Sequence, residues 1–181
     1  MATQYSEISN KLISFIEKQH IFFVATATQD SRINLSPKGM ESLRVINKNR
    51  VIWLNVTGSG NETAAHVQQL SRMTIMFTSF EGVPLILRLY GNARVIHPKD
   101  ADWDKLYALL KPLPGARQIF DVNVDLVQTS CGMSVPYLDY VADRELLNEW
   151  ATKKGEDKIK QYWQDKNQLS IDGLDTYIVD K

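Results

Sequence analysis

The sequence predicts an α+β chain, mainly β, in which about six short antiparallel strands form a barrel with helices at its margins. Two observations predict it. Apolar runs rich in β-branched and aromatic residues come in pairs joined by short polar turns, as in hairpins. Segments with helical spacing fall before, between and after these pairs, so strand and helix do not alternate as a parallel sheet requires.

In chain order, Ile8, Leu12, Ile13, Phe15 and Ile16 fall at helical spacing between Tyr5 and Gln19. Ile21 to Ala27 reads as a buried strand, Gln29-Asp30-Ser31 as a turn, and Arg32 to Ser36 as the returning strand. Leu43 to Ile46 and Arg50 to Val56, joined at Asn47-Lys48-Asn49, make a second hairpin. A helix follows over Glu62 to Leu70. Strands over Met73 to Phe80 and Leu85 to Ile96 are joined by Glu81-Gly82-Val83-Pro84. His97-Pro98 stops the second, and Asp100 to Leu110 is helical, with Trp103, Leu106, Tyr107 and Leu110 on one face. Val124 to Val135 returns to strand, and Asp143 to Lys166 forms two charged amphipathic helices broken at Gly155. No repeat or linker divides residues 1–181. The expectation is one domain, a barrel over about 20–135 and a C-terminal helical extension over about 143–167.

Composition limits the function classes. Lys plus Arg and Asp plus Glu are 21 each, so no net field draws the chain to nucleic acid or acidic lipid. Any anion must be held by a local site. Cys131 is the only cysteine, which rules out an internal disulfide, and the three histidines lack metal-ligand spacing, so no metal is expected. Met1 to Asn10 is polar, unlike a signal peptide, and no apolar run is long enough to span a bilayer. A cytoplasmic home is the simplest.

The most informative stretch runs from Val51 to Thr63, where a strand ends in Thr57-Gly58-Ser59-Gly60-Asn61 and a helix begins at once. Glycines allow a tight turn and close approach to a ligand, Ser59, Asn61 and Thr63 supply short polar groups, and the helix start has unpaired N–H donors. That combination suits an anion. The plainer alternative is that Asn61 only caps the helix and the glycines only turn the chain. A dinucleotide fold is a further alternative, with Glu81 as the ribose acid, but Thr63 stands at the third glycine and the flanking strands pair in hairpins.

Lys38, in Ser36-Pro37-Lys38-Gly39, ends a strand beside that loop and is either solvated or paired with an anion. Arg88 interrupts Leu85 to Tyr90, sharing a strand face with Ile86 and Tyr90, and calls for Glu41, Glu62, Glu81 or a bound phosphate as its partner. Cys131, within the polar stretch Gln128 to Pro136, reads more readily as a buried inert thiol than as a reactive one. No Gly-x-Ser-x-Gly elbow signals a hydrolase.

Phe23-Val24-Ala25-Thr26-Ala27, Asn34 to Gly39, the Thr57 to Thr63 loop, Arg88-Leu89-Tyr90-Gly91-x-Ala93-Arg94-Val95 and Gln128 to Gly132 resemble the FMN-binding split-barrel proteins of the pyridoxamine 5′-phosphate oxidase family. The resemblance implies a six-stranded antiparallel split β-barrel, a homodimer, and FMN in clefts at the subunit interface. It implies Ser36, Lys38, Thr57, Ser59, Asn61, Thr63 and Arg88 as cofactor-binding residues. It also implies an FMN-dependent oxidoreductase, with a flavin carrier or haem binder on the same barrel as the alternative. The oxidase's Arg-Lys pair at the loop helix is replaced by Glu62-Thr63, and its basic C-terminal substrate motif is absent. Pyridoxamine phosphate is therefore not the expected substrate.

Overall fold

A computed structural model of the protein describes residues 2–179. Its strands are β1 (Thr3–Tyr5), β2 (Phe22–Thr26), β3 (Asn34–Lys38), β4 (Leu43–Asn47), β5 (Arg50–Val56), β6 (Arg72–Thr78), β7 (Ile86–Ile96) and β8 (Ala116–Ser130). Its helices are α1 (Asn10–Ile16), α2 (Glu62–Gln69), α3 (Trp103–Tyr107), α4 (Leu146–Lys154) and α5 (Glu156–Lys166). The strands form one sheet in the order β3-β2-β6-β7-β8-β5-β4, with β1 paired to β8. Every pairing is antiparallel, which removes the dinucleotide fold. β3 and β4 are left as free edges, so the barrel is split. Pro37, which has no N–H to donate, sits on the β3 edge.

Strand alternation sorts the residues into two layers. Val24, Val51, Trp53, Ile75, Phe77, Leu87, Leu89, Phe120 and Val122 fill the barrel, plugged by Leu12 and Ile16 of α1. Ile52, Leu54, Ile96 and Ile119 point outward and are covered by Leu106 of α3 with Leu110 and Leu113 after it. β5 is therefore buried on both faces, Val51 and Trp53 inward, Ile52 and Leu54 outward. A third cluster, Ala151, Ile159, Trp163 and Ile178, ties α4, α5 and the following tail together.

Among the described residues the strands number eight rather than six. Thr3–Tyr5 pairs with β8, and α1 begins at Asn10, capped by Ser9, rather than near Tyr5 where the helical spacing starts. β8 starts at Ala116, before the expected Val124, and ends at Ser130. Its first half is disguised by Arg117, Gln118 and Asp121, polar residues that become buried by pairing: Gln118 accepts from Asn55 at 3.1 Å, and Asp121 accepts from Arg50 at 2.7 Å and Arg94 at 3.0 Å. The register shift between Tyr90 and Gly91 brings Gly91 against the Asn123 carbonyl, where no side chain fits.

Candidate functional site

A cavity of about 310 Å³ opens where the chain passes from β3 to β4, walled by the end of β3, the end of β5, the β5–α2 loop, Arg117 of β8 and Leu147 of α4. It gathers Ser36, Lys38, Ser59, Asn61 and Thr63, five of the seven residues singled out in the sequence. Thr57 and Arg88 are not among its walls.

Lys38 is the last residue of β3, and its stem runs over the barrel so that Nζ lies 5.4 Å from the centroid of the buried Trp53 ring. Burial, and then repulsion from Arg117, lower its pKa to about 8. Arg117 is 2% exposed, and burial lowers its pKa to about 10. Its Nη1 donates to Asn167 Oδ1 at 2.8 Å and Gly58 O at 3.4 Å, and its Nη2 to Gly60 O at 3.0 Å. Neither cation forms a salt bridge to a carboxylate among the described residues. Three buried polar atoms on the cavity's walls also lack partners among the described residues: Ser36 Oγ, Asn61 Oδ1 and Arg117 Nε. Buried polar groups are ordinarily hydrogen-bonded, so these three atoms on one set of walls make the cavity the candidate site.

The loop differs from its sequence reading in two respects. Asn61 makes no side-chain cap to α2; its Nδ2 donates to Asn167 O at 3.2 Å instead. Gly58 and Gly60 are not in the left-handed region, and a Cβ on Gly58 would meet nothing within 4 Å. The glycines leave space rather than enable a turn. Thr63 Oγ1 accepts from Asn34 Nδ2 at 3.0 Å, and Ser59 is exposed. Glu62 turns its carboxylate to the Ile171 N–H, at 3.0 and 3.1 Å.

Thr57 holds the stem of the loop. Its hydroxyl donates to Gly115 O and accepts from Trp163 Nε1, both at 2.8 Å, so both roles are engaged. Arg88 lies on the outer barrel face, where Nη1 donates to Ser130 Oγ at 3.2 Å; no carboxylate pairs with it among the described residues, because a half-exposed guanidinium needs none. Cys131 is exposed, not buried. None of the three histidines lines the cavity, and no cluster of metal-ligating residues occurs among the described residues. No helix among them is long and apolar enough to cross a membrane. Sequence reasoning missed Arg117 and Asn167. Arg117 stands just after Gly115 in a run leading to Ile119-Phe120, a signal that another strand carries a charge inward.

A sequence model of the pyridoxamine 5′-phosphate oxidase family matches residues 8–131. The chain belongs to this family. The pyridoxamine 5′-phosphate oxidase family protein ustO of Aspergillus flavus is 34% identical, over 94% of this chain and 76% of that one. Among solved structures, a histidine-to-alanine variant of HupZ from Group A Streptococcus superposes with a TM-score of 0.55 at 20% identity, covering 68% of this chain and 99% of that one. A putative pyridoxamine 5′-phosphate oxidase from Lactobacillus delbrueckii superposes at 0.54 and 18% identity, covering 68% and 94%. These two share the oxidase-family fold. The family match ends before α4, α5 and the tail that contribute Leu147, Trp163 and Asn167 to the cavity and its loop.

Proposed function

We infer that the chain binds FMN by its terminal phosphate at this cavity and acts as an FMN-dependent oxidoreductase in the cytoplasm. One observation carries the reading: Lys38 and Arg117 both wall the cavity, neither in a salt bridge among the described residues, beside three unpaired buried polar atoms, while the carboxylate of Glu62 on the same wall accepts from the Ile171 N–H. Two desolvated cations held together are costly, and a phosphate dianion removes that cost while supplying acceptors. The bound flavin supplies two-electron, hydride-type chemistry. Lys38 provides the charge nearest the ligand. Ser59 and Thr63 offer hydroxyls to the phosphate, and Ser36 Oγ and Asn61 Oδ1 offer partners to the hydroxyls of a ribityl chain. Glu62 and Thr63, in place of the basic pair of the oxidase, argue for a substrate other than pyridoxamine phosphate.

The volume of about 310 Å³ stands at the low end of the roughly 300–1,000 Å³ of small-molecule sites. One chain would enclose a flavin only in part, which supports a homodimer in which a second copy covers the ring. Arg88 faces outward with Tyr90 and Gln128, and in such a dimer its contribution would be to the partner's cleft.

The absorbance spectrum of purified protein, with quenching of added FMN fluorescence, tests the cofactor. A colourless protein that leaves FMN fluorescence unchanged refutes it. Multiple turnovers with a nicotinamide reductant and an electron acceptor support the oxidoreductase, whereas stable flavin binding without turnover assigns a carrier role.

A further inference from the structure

The carbonyl oxygens of three successive residues in the β5–α2 loop are drawn to one side. Gly58 O accepts from Asn167 Nδ2 at 3.1 Å and from Arg117; Ser59 O accepts from Asn167 Nδ2 at 3.3 Å; Gly60 O accepts from Arg117 at 3.0 Å. Arg117 and Asn167 are themselves bonded at 2.8 Å, so the three carbonyls meet a single clasp. In a planar trans peptide the C=O and the following N–H point in opposite directions. The N–H groups of Ser59, Gly60 and Asn61 therefore point away from the clasp, and none donates to a group among the described residues. Beside them, Asn61 is 3% exposed with an unpaired Oδ1, and the position over Gly58 is open.

Resting on the phosphate reading above, we propose that Arg117 and Asn167 are positioning residues for anion recognition, turning the amides of Ser59, Gly60 and Asn61 outward so that these receive the ligand's phosphate. Carbonyl dipoles on the ligand's side would repel an anion, and the clasp withdraws them. Arg117, which clasps the loop and also walls the cavity, adds its charge beside these amides, with Lys38 on the same cavity's wall. The family match does not reach Asn167. The C-terminal segment that carries it is anchored by Trp163 of α5 to Thr57, by the Ile171 N–H to Glu62 and by Asp172 to Arg32, and within it Thr176 Oγ1 donates to Asn167 O at 2.6 Å. The C-terminal extension thus belongs to the binding site, and part of the anion affinity that a basic pair would give comes instead from oriented backbone.

Two measurements test this separately from the flavin assignment. In the first, inorganic phosphate is titrated into the full chain and followed by amide ¹H–¹⁵N shifts. The Ser59, Gly60 and Asn61 resonances should move together at a single affinity in the wild type. Asn167→Asp, which keeps the side chain's shape and its pairing to Arg117 but loses the donor to Gly58 and Ser59, should abolish that response. Shifts confined to residues around Lys38, or an unchanged response in folded Asn167→Asp, would overturn the proposal. In the second, FMN and riboflavin affinities are compared. The wild type should prefer FMN, and Asn167→Asp should cut FMN affinity by roughly tenfold to a hundredfold while leaving riboflavin unchanged. Equal affinities in the wild type would refute the phosphate reading itself, while the phosphate titration still decides the clasp. Should the variant fail to fold, the wild-type shift pattern alone decides.

Discussion

Lys38→Met should make the unliganded protein more stable and weaken the proposed anion site. The ammonium titrates at about 8 rather than 10.5, because it is desolvated and faces Arg117. At about 1.4 kcal/mol per pH unit, carrying the charge into the fold costs roughly 3 kcal/mol. Methionine removes that cost, gives up the contact of Nζ with Trp53, worth about 1 kcal/mol, and keeps most of the apolar stem. The net gain at pH 7 is about 1–2 kcal/mol, or a rise in Tm of about 2–8 °C for a chain of this size. The pH dependence follows from proton counting. Below pH 8 both states hold the proton and the cost is full; between about 8 and 10.5 only the unfolded chain holds it, so wild-type stability rises with pH through that window. The variant lacks this rise. On the proposed function FMN affinity should run the other way: a phosphate beside Lys38 keeps it charged, so wild-type affinity should fall above about pH 8, by up to about tenfold per pH unit, while the variant's should be flat and lower. Urea unfolding and FMN titrations across roughly pH 7 to 10 measure both. A variant that melts below the wild type at pH 7, or a wild type with no extra gain in stability above about pH 8, would refute the reasoning.

Other substitutions probe the frame around the site. Gly91→Ala would drive a Cβ into the Asn123 carbonyl oxygen and set it 3.0 Å from Val124 Cα, both backbone atoms, so a loss of about 3 kcal/mol or more is expected as a lower urea midpoint. Burial pushes the Asp121 carboxyl up, but hydrogen bonds from Arg50 and Arg94 outweigh it and hold the pKa below the usual 3.8. Its stability contribution is therefore present above that value and lost as pH falls through the lowered one. Asp121→Asn should cost about 1–2 kcal/mol at pH 7, allowing for the exposure of Arg94, and should flatten the acid limb of a stability profile. Asn61→Ala should cost about 1 kcal/mol through its bond to Asn167, and should lower FMN affinity while leaving α2 intact by circular dichroism, since no side-chain cap is lost.

Much of this frame was legible in the sequence because local chemistry and tertiary role coincide. The Ile21–Ala27 and Arg50–Val56 runs, and the break at Gly155, sit almost where the structure has them, and Pro37 marks a free edge as an edge proline should. Lys38, Ser36 and the Ser59–Thr63 segment meet at one cavity because a hairpin and a strand–helix turn converge there. What stayed hidden depends on partners far along the chain. Arg117 looks like a surface charge until Asn167, fifty residues on, and two glycine carbonyls receive it. Asn61 stands where a cap belongs, yet spends its amide on the tail; Thr57 stands where a phosphate ligand belongs, yet is saturated by Gly115 and Trp163. In each case the competing hydrogen bond comes from a segment fifty or more residues away, which spacing within a motif does not reveal.

β5 is gripped between two layers, and it runs straight into the loop that borders the cavity. A segment clamped on both sides has little room to adapt as a guest arrives. Association at this mouth should therefore resemble a key entering a finished lock, with little ordering entropy spent on the protein's side. The same stiffness limits tolerance: a methyl group added on either side of that strand would be felt at the doorway as surely as in the layer that receives it.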